Sequence, residues 1–436
     1  MCPEAREGPT PSSAGWQALL AGSLRDRARA AVDDIARALA SPPVAWIPDF
    51  NAEPYRIARG VSLHSGAASM ALFYAYCDKS QLSTLGCADQ LTKCLEYVGG
   101  GLEVTRLEPG FMHGLSGVLW SLNHIATFTG GSLEGLDDAM ADAAAFLAEH
   151  SLAEEGFDLW SGLCGHGIYA LPRAGEPSAR RLLEGLVESL LSTENREPGA
   201  APWILRPQSL KKSHRVAPRF PHTHLGVAHG IVGVVGFLAE AHRRGLGAGK
   251  IPGVCDRAWR WLDAQKSTDD LGPFWPNFAA PGTPPARGME MWCNGMPGIA
   301  TALLAAARKL GHDEMRAWCI ARARELAMLA RNSPPLTDIS LCHGTAGFGH
   351  MFNRLFQHTG DELFADTARA YLQLTLDQQR PGYGVGGFAA YGLNAMGDYV
   401  DLFDPGLMIG SSGVGLALLA GVSGQVPRWD RALLLS

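Results

Sequence analysis

No span of 18 residues in this chain is free of glycine and polar interruptions, which argues against a membrane-spanning helix. Met1 to Trp16 is polar and proline-rich and lacks the apolar core of a secretory signal, so a cytoplasmic location is expected. Basic charge is not in excess: 37 Lys+Arg against 43 Asp+Glu give a formal charge of −6, too little positive charge for a nucleic-acid partner. Nine cysteines, an odd number scattered over 436 residues, point to free or metal-bound thiols in a reducing compartment rather than to a disulfide framework. No phosphate-binding or redox-cofactor motif is present, and the only candidates for an Asp-rich metal motif, Asp33-Asp34 and Asp269-Asp270, lack a third carboxylate.

Glycine, by contrast, is abundant and ordered. Gly-x-x-Gly or a close variant recurs seven times, each copy followed by a small apolar run: Gly66 (with Ser69 as second member), Gly114/Gly117, Gly162/Gly165, Gly230/Gly233, Gly295/Gly298, Gly344/Gly347 and Gly410/Gly413. The gaps between first glycines are 48, 48, 68, 65, 49 and 66 residues, a period long enough for two helices per unit, with insertions in three intervals. Runs such as Ile299 to Ala307 and Val414 to Ala420 are apolar nearly all round, as buried helices are. Between them lie amphipathic stretches, Leu136 to Leu152, Ser178 to Leu191, Asp256 to Lys266, Asp313 to Arg331 and Asp361 to Arg380; acids often lead, as at Asp137-Asp138, Asp313-Glu314 and Asp361-Glu362, and bases often close, as the helix dipole favours.

Alternating buried and amphipathic helices predict an all-α fold, an α/α toroid of seven hairpins with an inner and an outer ring; the same hairpins also permit an open solenoid. The domain division expected is a helical lead or cap over residues 1–55, with Leu19 to Ala40 as its helix, and the barrel over residues 56–436. Three irregular segments fill the long intervals: Arg196 to His224, Leu271 to Met291 and Gln378 to Leu407. The first two either border a substrate entrance or decorate the surface.

Two cysteines occupy the same place in successive turns. Cys293 opens Cys293-Asn294-Gly295, Cys342 opens Cys342-His343-Gly344, and the two lie 49 residues apart (342 − 293). Where equivalent turns face a common centre, Cys293, Cys342 and His343 form a zinc set of two thiolates and one imidazole, one ion per chain. Three protein ligands leave a position open, which favours an enzyme over a structural zinc module. The remaining cysteines, Cys2, Cys77, Cys87, Cys94, Cys164, Cys255 and Cys319, read as small buried hydrophobes or exposed thiols.

Over Val61 to Val422, the Trp292-Cys293-Asn294-Gly295 turn, the Cys342-His343-Gly344 turn and the other glycine turns resemble the lanthipeptide cyclases, the lanthionine synthetase C-like family. The resemblance implies an α/α barrel with one zinc on Cys293, Cys342 and His343. It also implies addition of cysteine thiols to dehydroalanine or dehydrobutyrine of a dehydrated precursor peptide, closing thioether rings. His229 matches the family's active-site histidine and Asp158 its aspartate. Histidine suits the proton delivery that follows attack on the alkene; Asp158 would orient His229, accept the thiol proton or raise the histidine's pKa. His222 and His224, just upstream, are further candidates for the pocket, the alternative being loop histidines. His113 shares the His-Gly-x-x-Gly context of His229 but is expected to be structural. With no dehydratase-sized region before the repeats, a stand-alone cyclase with a separate dehydratase, and a transporter complex as a further partner, is expected.

Two departures stand out. Many members carry Tyr where this chain has Asn294, and Arg where it has Met289; Arg287, two positions away, is the candidate to supply an oxyanion-stabilising charge. Alternative readings are a non-cyclising relative that binds glutathione or transfers thiols between molecules, and an unrelated α/α-toroid enzyme. A terpene cyclase would need a fuller acidic motif than Asp33-Asp34 or Asp269-Asp270. A zinc hydrolase is disfavoured because two thiolates lower the metal's Lewis acidity.

Overall fold

The computed structural model describes residues 15–40, 51–150, 156–205, 220–270, 272–330, 338–393 and 398–436. Two helices lead, α1 (Gly22–Ala40) and α2 (Pro54–Val61). Apolar and amphipathic helices then alternate: α3 (Ala67–Ser80), α4 (Cys87–Val104), α5 (Leu115–Thr129), α6 (Leu136–His150), α7 (Leu163–Ala170), α8 (Pro177–Ser192) and α9 (Ile231–Arg243). The series continues with α10 (Ile251–Asp263), α11 (Met296–Leu310), α12 (Asp313–Ala330), α13 (Thr345–Thr359), α14 (Glu362–Asp377) and α15 (Ser411–Val422).

The seven odd-numbered helices from α3 to α15 begin at the seven glycine turns, and each has glycine as its N-cap with extended φ between −127° and −103°. Close approach requires the second glycine: a Cβ at Gly298 would collide with the Trp292 carbonyl, and one at Gly347 with that of Leu341. Ser69 is accommodated in the first turn, where its hydroxyl donates to the Gly66 carbonyl at 2.6 Å. Helices α11, α13 and α15 are buried over nearly their whole circumference, as an inner ring requires.

Each inner helix packs on the next, α3 on α5, α5 on α7, and so round to α15, which packs back on α3. The ring is therefore closed, and the solenoid alternative falls. A circuit of backbone hydrogen bonds runs through the residue two before each first glycine. The His64 N–H donates to Met112 O (2.9 Å), Met112 to Trp160 O (2.9 Å), Trp160 to Ala228 O (3.2 Å) and Ala228 to Cys293 O (3.1 Å). Trp292 then donates to Cys342 O (2.9 Å), Cys342 to Met408 O (2.9 Å) and Met408 to His64 O (3.2 Å). This circuit gathers all seven turns at one end of the barrel.

Six even-numbered helices, α4 to α14, back the inner ring. The seventh outer place is taken by α1, which packs on α15 and α14 through Ala28, Ala31, Val32, Ile35, Ala36 and Leu39. The expected capping helix thus completes the outer ring. The sequence pattern offers no outer helix for the first repeat, because α4 carries Gly99-Gly100-Gly101 in its interior. Glycine costs about 1 kcal/mol per residue in a helix, and packing on α3 outweighs it here. A 3-10 turn, Arg428–Leu433, is buried among the inner helices: Trp292 Nε1 donates to Leu433 O (3.0 Å), and Asp430 takes Arg354 and His350.

Three two-stranded sheets come from the long intervals. They are β1 (Thr223–His224) with β4 (Phe278–Ala279), β2 (Ser267–Asp269) with β3 (Gly272–Phe274), and β5 (Ala390–Leu393) with β6 (Tyr399–Leu402), all antiparallel. The first two irregular segments are thus joined to each other by the β1–β4 pairing. Residues 206–219 of the first lie outside the described residues, as does Cys2. Cys77, Cys87, Cys94, Cys164, Cys255 and Cys319 are buried free thiols. Among the described residues no helix is long and apolar enough to cross a membrane.

Candidate active site

Adjacent turns of the ring set Cys293 and Cys342 side by side. Their thiols are close enough for each to shift the titration of the other. The neighbouring Cys342, aided by the nearby His229 and opposed by burial, holds the Cys293 thiol below its usual value; Cys293 in turn, with burial, pushes Cys342 up. The Cys293 sulfur also lies 3.3 Å from Met291 Sδ.

His343 follows on the same turn, half-buried, with its backbone N–H donating to Ser340 Oγ at 3.2 Å. Its Nε2 faces Asp338 Oδ2 at 3.7 Å. As the side chains stand, no three His, Cys, Asp or Glu donors are gathered tightly enough to hold a metal among the described residues. What is gathered is a pair of neighbouring thiols with an imidazole on the residue after the second. The chemistry of that donor set, two soft sulfurs and one imidazole, fits zinc.

The next turn back supplies His229, whose neighbour Ala228 is bonded to the Cys293 carbonyl. Its Nδ1 lies 2.9 Å from Asp158 Oδ2. Asp158 is 4% exposed, and its other oxygen accepts the N–H groups of Ser161 (2.8 Å) and Gly162 (2.9 Å), so the carboxylate is fixed by the turn that starts α7. A carboxylate only accepts, so Nδ1 carries the proton and Nε2 is the nitrogen turned away from Asp158. Burial would lower the pKa of His229, but the Asp158 hydrogen bond and charge, with the Cys293 sulfur, raise it above the ordinary imidazole value.

His222 and His224 stand behind His229. The His222 and His224 rings are 4.8 Å apart and the His224 and His229 rings 6.2 Å apart. His222 Nδ1 bonds Phe220 O at 2.8 Å, while His222 Nε2 and His224 Nδ1 are buried without a hydrogen-bond partner. Burial, with the neighbouring histidines, lowers His224 to about 3. On the other flank Trp160 separates His229 (5.5 Å) from His113 (5.6 Å), and His64 lies 4.3 Å from His113. Sequence reasoning misses Trp160 and His64, because an aromatic beside a glycine turn reads as core.

Arg287 is not brought to this group. Its guanidinium grips Asp269 with two bonds of 2.8 and 2.7 Å, donates to Gly272 O at 2.8 Å and lies 4.8 Å from the Phe274 ring centre. Met289 is exposed, and Asn294 leaves its Oδ1 buried without a hydrogen-bond partner. A 290 Å³ groove is lined by Phe274, Trp275, Arg287 and Glu290 on one side and by Arg322, Leu326 and Leu329 of α12 on the other; Cys293, Cys342, His343, His229 and Asp158 do not line it.

Among solved structures the chain is similar to nisin cyclase, with a TM-score of 0.69 and 17% identity over 89% of this chain and 95% of that one, a likeness of fold. A sugar epimerase from a ruminal bacterium superposes more loosely, with a TM-score of 0.42 and 13% identity over 84% of this chain and 88% of that one, and carries no argument. The family model described as lanthionine synthetase C-like protein matches residues 58–434. A match over nearly the whole ring, with the glycine turns that build it, makes this chain a member of the lanthionine synthetase C-like family.

Proposed function

We propose that the protein is a zinc-dependent lanthipeptide cyclase, adding cysteine thiols of a dehydrated precursor peptide to dehydroalanine or dehydrobutyrine. The observation that carries this reading is the Asp158–His229 pair standing in the turn bonded to Cys293, next to the Cys293–Cys342 thiol pair. Family membership and the fold of nisin cyclase support it.

Cys293, Cys342 and His343 would hold one zinc per chain, which when bound supplies deprotonation of an incoming thiol, whose free pKa of about 8.5 leaves it a poor nucleophile at neutral pH. The rest of the chemistry falls to the chain's own groups. The carbon–sulfur bond forms at the alkene's β-carbon, and the displaced π pair becomes an enolate. His229, kept protonated on Nδ1 by Asp158 and biased toward its charged form, delivers a proton from Nε2 to the α-carbon. The thiol proton is lost and one proton is gained, so the peptide's mass is unchanged. Asp158, with one oxygen bound to its own turn and the other to Nδ1, is a positioning residue. His222, buried, and His224, half-buried, stand beside His229. A dehydratase that supplies the alkene, and a transporter complex, are the partners such a cyclase would have.

The test uses a synthetic peptide carrying one dehydroalanine and one cysteine. Incubated with zinc-loaded protein, it should lose its alkylatable thiol without change of mass. A peptide that stays fully alkylatable while added glutathione becomes attached to it would replace this reading with intermolecular thiol transfer.

A further inference from the structure

Asp338 sits six residues before Gly344, buried at 8% exposure, and both of its oxygens are placed by backbone donors. Oδ2 accepts the Ser340 N–H at 2.9 Å within its own turn. Oδ1 accepts the Tyr391 N–H at 2.9 Å from β5, 53 residues away. The carboxylate is thus clamped between the sixth turn and the β5–β6 hairpin. The same Oδ2 faces His343 Nε2 at 3.7 Å, within reach of a charge contact.

The molecule contains its own control. Asp404 occupies the same place, six residues before Gly410, and its Oδ1 accepts the Gly406 N–H at 2.7 Å. Its charge is met by Arg59 at 3.5 Å, and the residue before Gly410 is Ile409, with no imidazole to face. Stabilising a glycine turn therefore explains an acid at this position but not the histidine in front of Asp338. A carboxylate behind an imidazole fixes which nitrogen carries the proton and raises the basicity of the other.

We infer that Asp338 is a positioning residue for His343, holding the proton on Nε2 so that Nδ1 is the nitrogen offered to a metal. The inference rests on the zinc reading of Cys293, Cys342 and His343. It extends that reading to the hairpin, since β5 supplies one of the two bonds that hold the carboxylate.

The experiment compares wild-type protein, D338N and D404N. Each apo form is titrated with zinc against a chromophoric chelator, its Tm is recorded, and the zinc-loaded forms are examined by long-range 1H–15N correlation of 15N-histidine. The amide in D338N keeps one acceptor oxygen for the turn, so folding should persist. D338N should weaken zinc binding by about 10- to 100-fold and lose the single Nε2–H tautomer of His343, while D404N keeps both wild-type affinity and tautomer. Zinc binding by D338N equal to wild type, an unchanged tautomer, or equal loss in D338N and D404N would overturn the inference and leave Asp338 a turn-capping acid. If D338N loses Tm, D338E, which restores the charge, should recover affinity and tautomer ahead of Tm; recovery of Tm alone also overturns it. Wild-type protein that binds no zinc would reject the metal reading itself, a distinct outcome.

Discussion

His229 Nδ1 and Asp158 Oδ2 lie 2.9 Å apart although 71 residues separate them, and the carboxylate's other oxygen is bound by its own turn. The pair is rigid from the acid outward. Replacing His229 with Ala should slow cyclisation of the model peptide by about 10² to 10⁴, and Asp158→Ala should do so nearly as far by freeing the ring. Both variants should keep wild-type zinc stoichiometry, read by elemental analysis; loss of zinc from either, or a wild-type rate, would remove the role assigned.

Cys293→Ala and Cys342→Ala should each abolish zinc retention and cyclisation together. Circular dichroism and Tm should stay close to wild type, because a closed ring of buried helices does not depend on one ion as a small zinc finger does. Stoichiometric zinc in either variant would contradict the ligand assignment.

Gly347→Ala places a Cβ against the Leu341 carbonyl, which is backbone and cannot swing aside. The expected cost is about 1–3 kcal/mol or more, measured by urea unfolding. Gly131→Ala, whose Cβ makes only ordinary contact with Thr129 Oγ1, is the matched control and should change little.

Asp430 is fully buried with Arg354 (2.9 Å from its Oδ1) and His350 (2.8 Å from its Oδ2). Burial would raise its pKa, but the arginine's charge and the His350 bond drive it far below the usual 3.8; burial lowers His350 below 6.5 despite Asp430. Both shifts work in one direction. The unfolded chain takes up these protons first, so stability should begin to fall below pH 6.5 and fall further below 3.8. Asp430→Asn, leaving Arg354 buried beside a neutral partner, should cost about 3–5 kcal/mol at neutral pH and flatten the acid limb. A Tm–pH profile parallel to wild type would refute this.

Ile35 is fully buried where α1 covers α15. Ile35→Asp should strip α1 from the outer ring and lower Tm sharply, through an unpaired buried charge. A variant with unchanged Tm would show that α1 is an appendage rather than the seventh outer helix.

Much of the site was legible because it is written in local pattern. Cys293 and Cys342 hold the same place relative to Gly295 and Gly344, and equivalent places in adjacent turns become neighbours once the turns share one end of a barrel. Asp338 was not legible. An acid six residues before a glycine occurs again at Asp404, and only the approach of Tyr391 and the aim of the His343 ring distinguish the two. Arg287 reads from sequence as a displaced charge near Cys293, yet Asp269 holds it in the β2–β3 hairpin, a pairing that spacing does not reveal.

The sevenfold glycine repeat, the alternation of apolar and amphipathic helices, and the register that makes two cysteines equivalent are all written in the order of residues. These follow from helix periodicity and close approach of backbone, which act over a few residues. Long-range packing set the rest: Met408 returns to His64 to close the ring, α1 fills the outer place left beside α15, and β1 pairs with β4 to join two loops. Those contacts join segments tens to hundreds of residues apart. Nothing in either partner's neighbourhood encodes them; they exist because the packed core leaves one place where each segment's hydrogen bonds and apolar surface can be satisfied.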